Sequence, residues 1–490
     1  MVKGEGIIAV ECKASASPVL TKGFWKSLEV IKPKKAFVIV PVSGSYPIKQ
    51  NVTVCGLADF LGEIRKLKAE TGRKPLLLRG ARQVGKSSSV RRLAGSFDSF
   101  LKINFEENRK VHALFEGDLT PQSICANLSI LFDTDIVPGK TLLFFDEVQA
   151  CIPAISLLRY FYEKMPELHV IAAGSLLEFS LAEIPSFGVG RIRSVFMYLL
   201  SFDEFLNAIG QEKLRNLKNE ADALHPVTQP LHDKLMPLLK QFLIIGGMPE
   251  VVQIFAETNN LRECQRVLDD LNTSLRYDFA KYKTKIPSLH IREVFESVVQ
   301  QSGGKYTYTK ATQNLNIAQI KNTLDLLIMA GLVIPVTHSS ANGIPLGADV
   351  NLKKRKMLLL DTGLFQRLLQ LDISELIFSN EFDLINKGGI AEQYAGFEIL
   401  KNASCYEQKA LFYWHREAVN SSAEVDYLIL KQNDIVPLEV KSGTKGSMNS
   451  MFLFLKEKKA KYGYRLSLEN FAEYENIRVY PLYAVGNILK

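Results

Sequence analysis

Residues 80–87 read Gly-Ala-Arg-Gln-Val-Gly-Lys-Ser, a complete G-x-x-x-x-G-K-[ST] run between the apolar stretch LLL (76–78) and a helix-forming stretch, SVRRLAGSF. Gly80 and Gly85 permit a turn whose backbone N–H groups wrap a phosphate, with Ala81, Arg82, Gln83, Val84 and Ser88 completing the cradle. The following helix N-terminus adds partial positive charge. In this arrangement Lys86 bridges the β- and γ-oxygens of a triphosphate and Ser87 reaches Mg²⁺. A glycine turn before a core helix would not explain a Gly-Lys-Ser triplet placed after a strand. The stretch TLLFFDEVQ (141–149) delivers a second part, an apolar strand ending in Asp146 and Glu147. Asp146 is expected to hold Mg²⁺, directly or through water, and Glu147 to polarise the attacking water. HVIAAGS (169–175) ends in Ser175, a small polar residue suited to positioning the γ-phosphate or the water. Arg191 and Arg193, in VGRIRS, are candidates for an arginine finger to the same or a neighbouring nucleotide, against the plainer alternative of surface arginines.

These residues need a sheet to carry them. From about 75 to 205, strand-like runs alternate with helical patterns, which predicts a parallel sheet covered by helices, with ligands at the carboxyl ends of its strands. Residues 206–285 read as helical, broken by Gly246, Gly247 and Pro249; 288–360 give helix, short helix, longer helix and two strands; 380–490 return to mixed α/β. Strands are expected at 7–13 and 36–42, and an amphipathic helix at 57–70. At 490 residues the chain suits several cores. Sixty basic against 52 acidic residues, net +8, is a mild excess that favours no partner strongly. Six scattered cysteines form no C-x-x-C pair, which argues against a zinc knuckle or disulfide framework and for a reducing, cytoplasmic setting. No run of eighteen or more apolar residues predicts a membrane span.

One internal repeat stands out. IIAVECKASA (7–16) parallels DIVPLEVKSG (434–443), placing Glu11 over Glu439 and Lys13 over Lys441. A Lys-rich helix and further strands follow in each copy. Residues 1–60 therefore read as the second half of the C-terminal domain without its upstream carboxylates, a fused or remnant copy; chance similarity is the alternative.

GARQVGKSSSVRRLA, INFEEN (103–108), LLFFDEVQ, IAAGSLLEF and the stretch 190–206 together resemble the AAA+ ATPases of the AAA_14 type found in archaea and bacteria, whose C-terminal part is the DUF4143 domain. The resemblance spans about 60–490. It implies a P-loop NTPase core at 61–206, a helical lid or linker at 207–287, a winged helix at 288–375 and a restriction-endonuclease-like α/β domain at 376–490. In the winged helix, IAQIKNTLDLLIMAGLVIPV (317–336) would be the recognition helix and first wing strand, with Lys321, Asn322 and a wing run Lys353, Lys354, Arg355 and Lys356 meeting phosphates. In the tail, the nuclease-like fold would bring Glu392, Asp426, Glu439 and Lys441 together around Mg²⁺, with His415 or Arg416 adding phosphate contacts. Glu439 and Lys441, two apart on a strand, share a face. A degenerate tail that keeps the fold without cleavage is the alternative.

The expected function is ATP binding and hydrolysis with Mg²⁺, repositioning the winged helix and the nuclease-like tail on DNA, in a cytoplasmic protein that needs no membrane and forms homo-oligomers. A protein-binding switch with an inert tail is the second reading, and a small-molecule kinase a third.

Overall fold

The computed structural model describes residues 73–117, 120–175, 177–183, 190–279, 286–371, 389–416, 423–443 and 446–489, residue 28, and the backbone of five strands before residue 57. The helix expected at 57–70 and the Lys-rich helix of the N-terminal copy lie outside the described residues. The five strands are β1 (Val2–Lys3), β2 (Gly6–Cys12), β3 (Lys35–Val40), β4 (Ser45–Lys49) and β5 (Val52–Gly56), in the order β1-β2-β3-β5-β4. β2, β3 and β5 are parallel, β4 is antiparallel to β5, and Glu11 is level with Val38 and thence Val54.

The next sheet carries the phosphate loop. Its elements are β6 (Leu76–Arg79), α1 (Lys86–Ala94), β7 (Ser99–Asn104), α2 (Pro121–Phe132), β8 (Thr141–Asp146), α3 (Ile152–Lys164), β9 (His169–Ala173), α4 (Leu177–Glu183) and β10 (Arg193–Phe196). All five strands are parallel, in the order β10-β6-β9-β8-β7. Side chains alternate across the pleat, so the continuous apolar run of β8 serves two layers. Leu143 and Phe145 pack with Ile124 and Leu128 of α2 and Ile155, Leu158 and Phe161 of α3, whereas Leu142 and Phe144 pack with Val90 and Ala94 of α1. Phe145 meets Phe105, Phe115 and Phe161 edge-on at 5.6–5.9 Å, the offset geometry aromatic quadrupoles favour. Burial on both faces anchors the strand that presents Asp146.

A helical region follows: α5 (Phe202–Ala208), α6 (Glu212–Glu220), α7 (Gln229–Ile245), α8 (Pro249–Thr258), α9 (Leu261–Asp278), α10 (Ser288–Gln300) and α11 (Ile317–Met329). Ser201 starts α5 with a reciprocal Ser201–Glu204 capping box, and Asn316 starts α11 in the same way with Gln319. Gly246 and Gly247 break α7 from α8 because the chain there is pressed against Asp361 and Leu200; a Cβ on Gly246 would lie 2.0 Å from Asp361 Oδ1.

The last sheet has eight strands. β11 (Val333–Ser339), β12 (Val350–Leu359), α12 (Thr362–Leu368), α13 (Gly389–Lys401), β13 (Leu411–His415), β14 (Glu424–Lys431), β15 (Asp434–Val440), α14 (Asn449–Lys458), β16 (Gly463–Ser467), β17 (Ala472–Tyr474) and β18 (Ile477–Pro481) build the order β12-β11-β13-β14-β15-β16-β18-β17. Two expectations change here. The β11–β12 hairpin is not a free wing, because β11 pairs in parallel with β13 and joins the tail's sheet. The run Lys353–Lys356 is not a loop either: it lies within β12, so its side chains alternate between faces and Lys356 points inward, only 2% exposed. Within this sheet β15, β16 and β18 are parallel, β17 is antiparallel to β18, and Glu439 is level with Arg465 and thence Val479. That is the same strand order and the same parallel and antiparallel sense as β2, β3, β5 and β4, with Glu11 in the place of Glu439, although β4 meets β5 with a bulge that β17 and β18 lack. Among the described residues no helix is long and apolar enough to cross a membrane.

Candidate functional site

Gly80 sits at φ 143°, and a Cβ there would lie 2.2 Å from the Met197 carbonyl oxygen, so only glycine lets the chain leave β6 this close to the end of β10. Gly85, at φ 94°, opens α1. Lys86 is buried beneath the loop, its Nζ donating to the carbonyls of Gly80 at 2.9 Å and Ala81 at 2.7 Å. Burial pulls its pKa down to about 8, against the opposing pull of Glu147 and Asp146. Ser87 Oγ donates to Asp146 Oδ1 at 2.9 Å, and Lys102 of β7 pairs with Asp146 Oδ2 at 2.7 Å. A hydroxyl and a carboxylate oxygen in contact are the hard-oxygen pair that suits Mg²⁺. Ala81 and Val84 are buried and Arg82 half-buried, while Gln83 and Ser88 are exposed.

Beyond Asp146 the backbone enters the left-handed region at Glu147, φ 49°, an uncommon conformation for a residue with a side chain. Glu147 Oε2 accepts from Gln149 Nε2 at 2.6 Å and from Ser175 Oγ at 3.2 Å. Ser175 Oγ in turn accepts from Arg82 Nε at 3.1 Å, and Arg82 forms an ion pair with Asp278 at the end of α9. A continuous polar chain thus runs Gln149, Glu147, Ser175, Arg82, Asp278. Gly174 makes room for it, since a Cβ there would lie 2.0 Å from Gln149 Oε1.

Arg191 and Arg193 are not part of this chain. β10 is parallel to β6 with Arg193 level with Leu76, four residues before Gly80, which puts it about 13 Å back along the sheet at ~3.3 Å per residue. Arg193 lies over the Tyr406 ring, and Arg191, half exposed, pairs with Glu163 of α3. As a finger to the nucleotide of its own subunit, Arg191 is misplaced.

The phosphate loop is instead touched from outside its own domain at three points. Arg82 meets Asp278, a Cβ on Gly85 would lie 3.7 Å from the Pro249 ring at the start of α8, and a Cβ on Gly331, in the turn from α11 to β11, would lie 3.2 Å from Ala81 Cβ. A cavity of about 450 Å³ lies beside this third contact, lined by Ala81, Val84, Ser175, Gly331, Phe397 and Lys401 among others. Lys401 Nζ of α13 donates to Leu200 O at 2.8 Å, and Glu398 accepts from the Phe202 amide at the start of α5. Gln149 lies within the motif LLFFDEVQ, whereas Lys102, Asp278, Pro249 and Gly331 have no local signature for this role; only the folded chain brings them to the site.

The second constellation also assembles, around an unforeseen centre. Glu392 (α13), Asp426 (β14) and Glu439 (β15) come together, Asp426 one step beyond the Tyr427–Leu438 pair and therefore opposite Glu439. Their midst holds the ammonium of Lys356, 2.6 Å from Glu392 Oε1, 2.6 Å from Glu424 Oε1 and 3.4 Å from Asp426 Oδ1. Asp426 Oδ2 accepts from the Val440 amide at 2.8 Å, and Lys441 Nζ pairs with Glu439 Oε1 at 2.6 Å. Burial alone would lower the Lys356 pKa, but Glu392, Asp426 and Glu424 outweigh it and hold the ammonium well above its ordinary value; burial pushes Glu392 and Glu439 up. The expectation that Lys356 meets phosphates is thus corrected by its burial. Among the described residues no group of three His, Cys, Asp or Glu side chains is arranged to hold a metal ion. Arg416 is engaged with Glu457 at 2.6 Å, and burial lowers the pKa of His415. Lys321 and Asn322 of α11 are exposed.

Compared with known proteins, residues 72–206 match an AAA domain, 236–375 match a domain of unknown function, DUF8612, and 387–485 match a domain of unknown function, DUF4143. Among solved structures the chain is similar to the Walker-type ATPase PABY2304 of Pyrococcus abyssi, at 14% identity and a TM-score of 0.39, over 63% of this chain and 95% of that one. No curated protein matches it.

Proposed function

We propose, from the premise that this chain belongs to the AAA-type ATPases with a C-terminal DUF4143 domain, that it hydrolyses ATP and passes the nucleotide state from its phosphate loop to the 236–375 region. On binding, Lys86 would exchange the Gly80 and Ala81 carbonyls for β- and γ-oxygens. Ser87 and Asp146 would hold Mg²⁺, which screens the phosphate charge. Glu147 would accept the proton of a water whose oxygen attacks the γ-phosphorus as the bond to the β–γ bridging oxygen breaks. Ser175 and Gln149 keep that carboxylate aimed.

The observation that carries this reading is the polar chain Glu147–Ser175–Arg82–Asp278, which ties the water-activating carboxylate to the end of α9. Contact with a γ-phosphate competes with Asp278 for Arg82, so triphosphate and diphosphate states differ at that helix end. Arg191 would serve as a finger only across an interface with a second copy, where its half-exposed position is suitable.

DNA as the object of this motion rests on the exposed Lys321, Asn322 and Lys353; a protein partner fits the same motion with no base or phosphate contact. Phosphate release by the wild-type chain and by Glu147→Gln tests the chemistry, in the presence and absence of duplex, single-stranded DNA and RNA. The variant is expected to retain nucleotide binding and lose about 10²-fold or more in turnover. Wild-type turnover in Glu147→Gln would remove the assignment. Stimulation by DNA favours the DNA-bound version, and indifference to nucleic acid favours the protein-binding switch.

A further inference from the structure

The resemblance to a restriction-endonuclease-like tail implies a divalent cation among Glu392, Asp426 and Glu439, and the side chains present do not fit one. Three carboxylates, those of Glu392, Glu424 and Asp426, contact the Lys356 ammonium, and Glu439, paired with Lys441, lies opposite Asp426 on the next strand. The lysine comes from outside the tail: β12 belongs to the 236–375 region, and the lysine reaches the α13 and β14 carboxylates past the face of Tyr413, whose ring centre is 5.3 Å from Nζ. Its side chain is only 2% exposed and that of Glu392 11%, so solvent screens this pair little, and withdrawing the ammonium would strand the buried Glu392 carboxylate.

We propose that Lys356 is the permanent counter-ion of this cluster, that it excludes Mg²⁺ or Mn²⁺ from the tail, and that the cluster ties the tail to the 236–375 region rather than cutting phosphodiesters. The charges support this division. Lys356 meets Glu392, Glu424 and Asp426; Lys441 meets Glu439; and Lys305 meets Glu424 from the other side at 3.4 Å. A divalent ion at the same centre would stand against an ammonium within hydrogen-bonding distance of two of its would-be ligands. Asp426 is further committed through the Val440 amide, a bond that fixes it against β15 with or without a cation.

The arrangement predicts a gain as well as an absence. With the ammonium removed, Glu392, Glu424 and Asp426 lose their shared counter-ion; as placed they are not arranged to hold a metal ion, so a gained site requires their oxygens to close on the vacated position, with Glu439 Oε2, buried without a hydrogen-bond partner, opposite Asp426. Mn²⁺ binding to the full, nucleotide-free chain, followed by electron paramagnetic resonance, tests this, with Asp146→Asn as background to remove the Mn²⁺ sited at the phosphate loop. On that background no Mn²⁺ binding sensitive to Asp426→Asn is expected, whereas adding Lys356→Met is expected to create one Mn²⁺ site whose affinity falls at least tenfold when Asp426→Asn is also introduced. An Asp426-dependent Mn²⁺ site in the chain that retains Lys356 overturns the proposal, as does a folded Lys356→Met protein that gains none. Should Lys356→Met fail to fold, the comparison with and without Asp426→Asn in the Lys356 chain decides alone: dependence overturns the proposal and its absence supports it. ATP turnover does not enter this test, so its outcome is independent of the function proposed above.

Discussion

Lys86 carries the central charge of the proposed nucleotide site, and its environment sets a pH limit on the binding proposed there. With its pKa pulled down to about 8 by burial, the unliganded lysine is largely charged at pH 7 and largely neutral at pH 9. Triphosphate oxygens favour the charged form, so binding above pH 8 must take up a proton, and affinity falls as pH rises. Calorimetry from pH 7 to 9.5 should show a nearly constant ATP affinity below pH 8 and a loss approaching tenfold per unit above it. A flat profile through pH 9.5 would show that Lys86 titrates elsewhere. At this scale the sequence was informative where function compresses residues into a short run: Gly80 to Ser87, and Asp146 with Glu147. It was silent on Lys102 and Asp278 and gave Lys356 the wrong partner, because each reaches its partner only through folding, the last across 36 residues to Glu392 and 70 to Asp426. Lys356 in particular reads as one more cation in a basic run, and only strand alternation in β12 turns it inward.

The elements matter through their ends. β6, β8 and β9 deliver Gly80, Asp146 and Ser175 to one edge because they are parallel neighbours, an arrangement their apolar runs and the alternating helices made legible in advance. The close approach of β10 to the loop was not legible, and it produces a sharp prediction. Gly80→Ala would place a methyl 2.2 Å from the Met197 carbonyl at a φ of 143° that side chains rarely adopt. The buried sheet should still form, since Leu143, Phe144 and Phe145 are untouched, while the loop is displaced. Circular dichroism near that of the wild type with ATP affinity weakened more than tenfold is expected; unchanged affinity would mean that the loop does not need its present path. The hairpin β11–β12 teaches the complementary lesson. Its sequence has the helix–helix–hairpin order of a winged helix, but the parallel pairing with β13 is a long-range choice that local pattern does not encode.

Across the whole molecule the domains named by the comparisons are not beads on a string. One sheet joins β11 and β12 to the tail, Lys356 locks the same junction electrostatically, and Lys401 and Glu398 hold the tail's first helix to the end of the AAA domain. Asp278, Pro249 and Gly331 put the 236–375 region against the phosphate loop at separate points. A change in that loop therefore has mechanical routes into the rest of the chain. Hydrogen–deuterium exchange on the Glu147→Gln protein, compared between Mg·ATP and Mg·ADP, reads this most directly. Protection should differ at the end of α9, around 246–250 and in the turn from α11 to β11, as well as in the loop itself. If the two nucleotides left every segment after residue 206 with identical exchange while both were bound, the proposed passage of nucleotide state beyond the AAA domain would be contradicted.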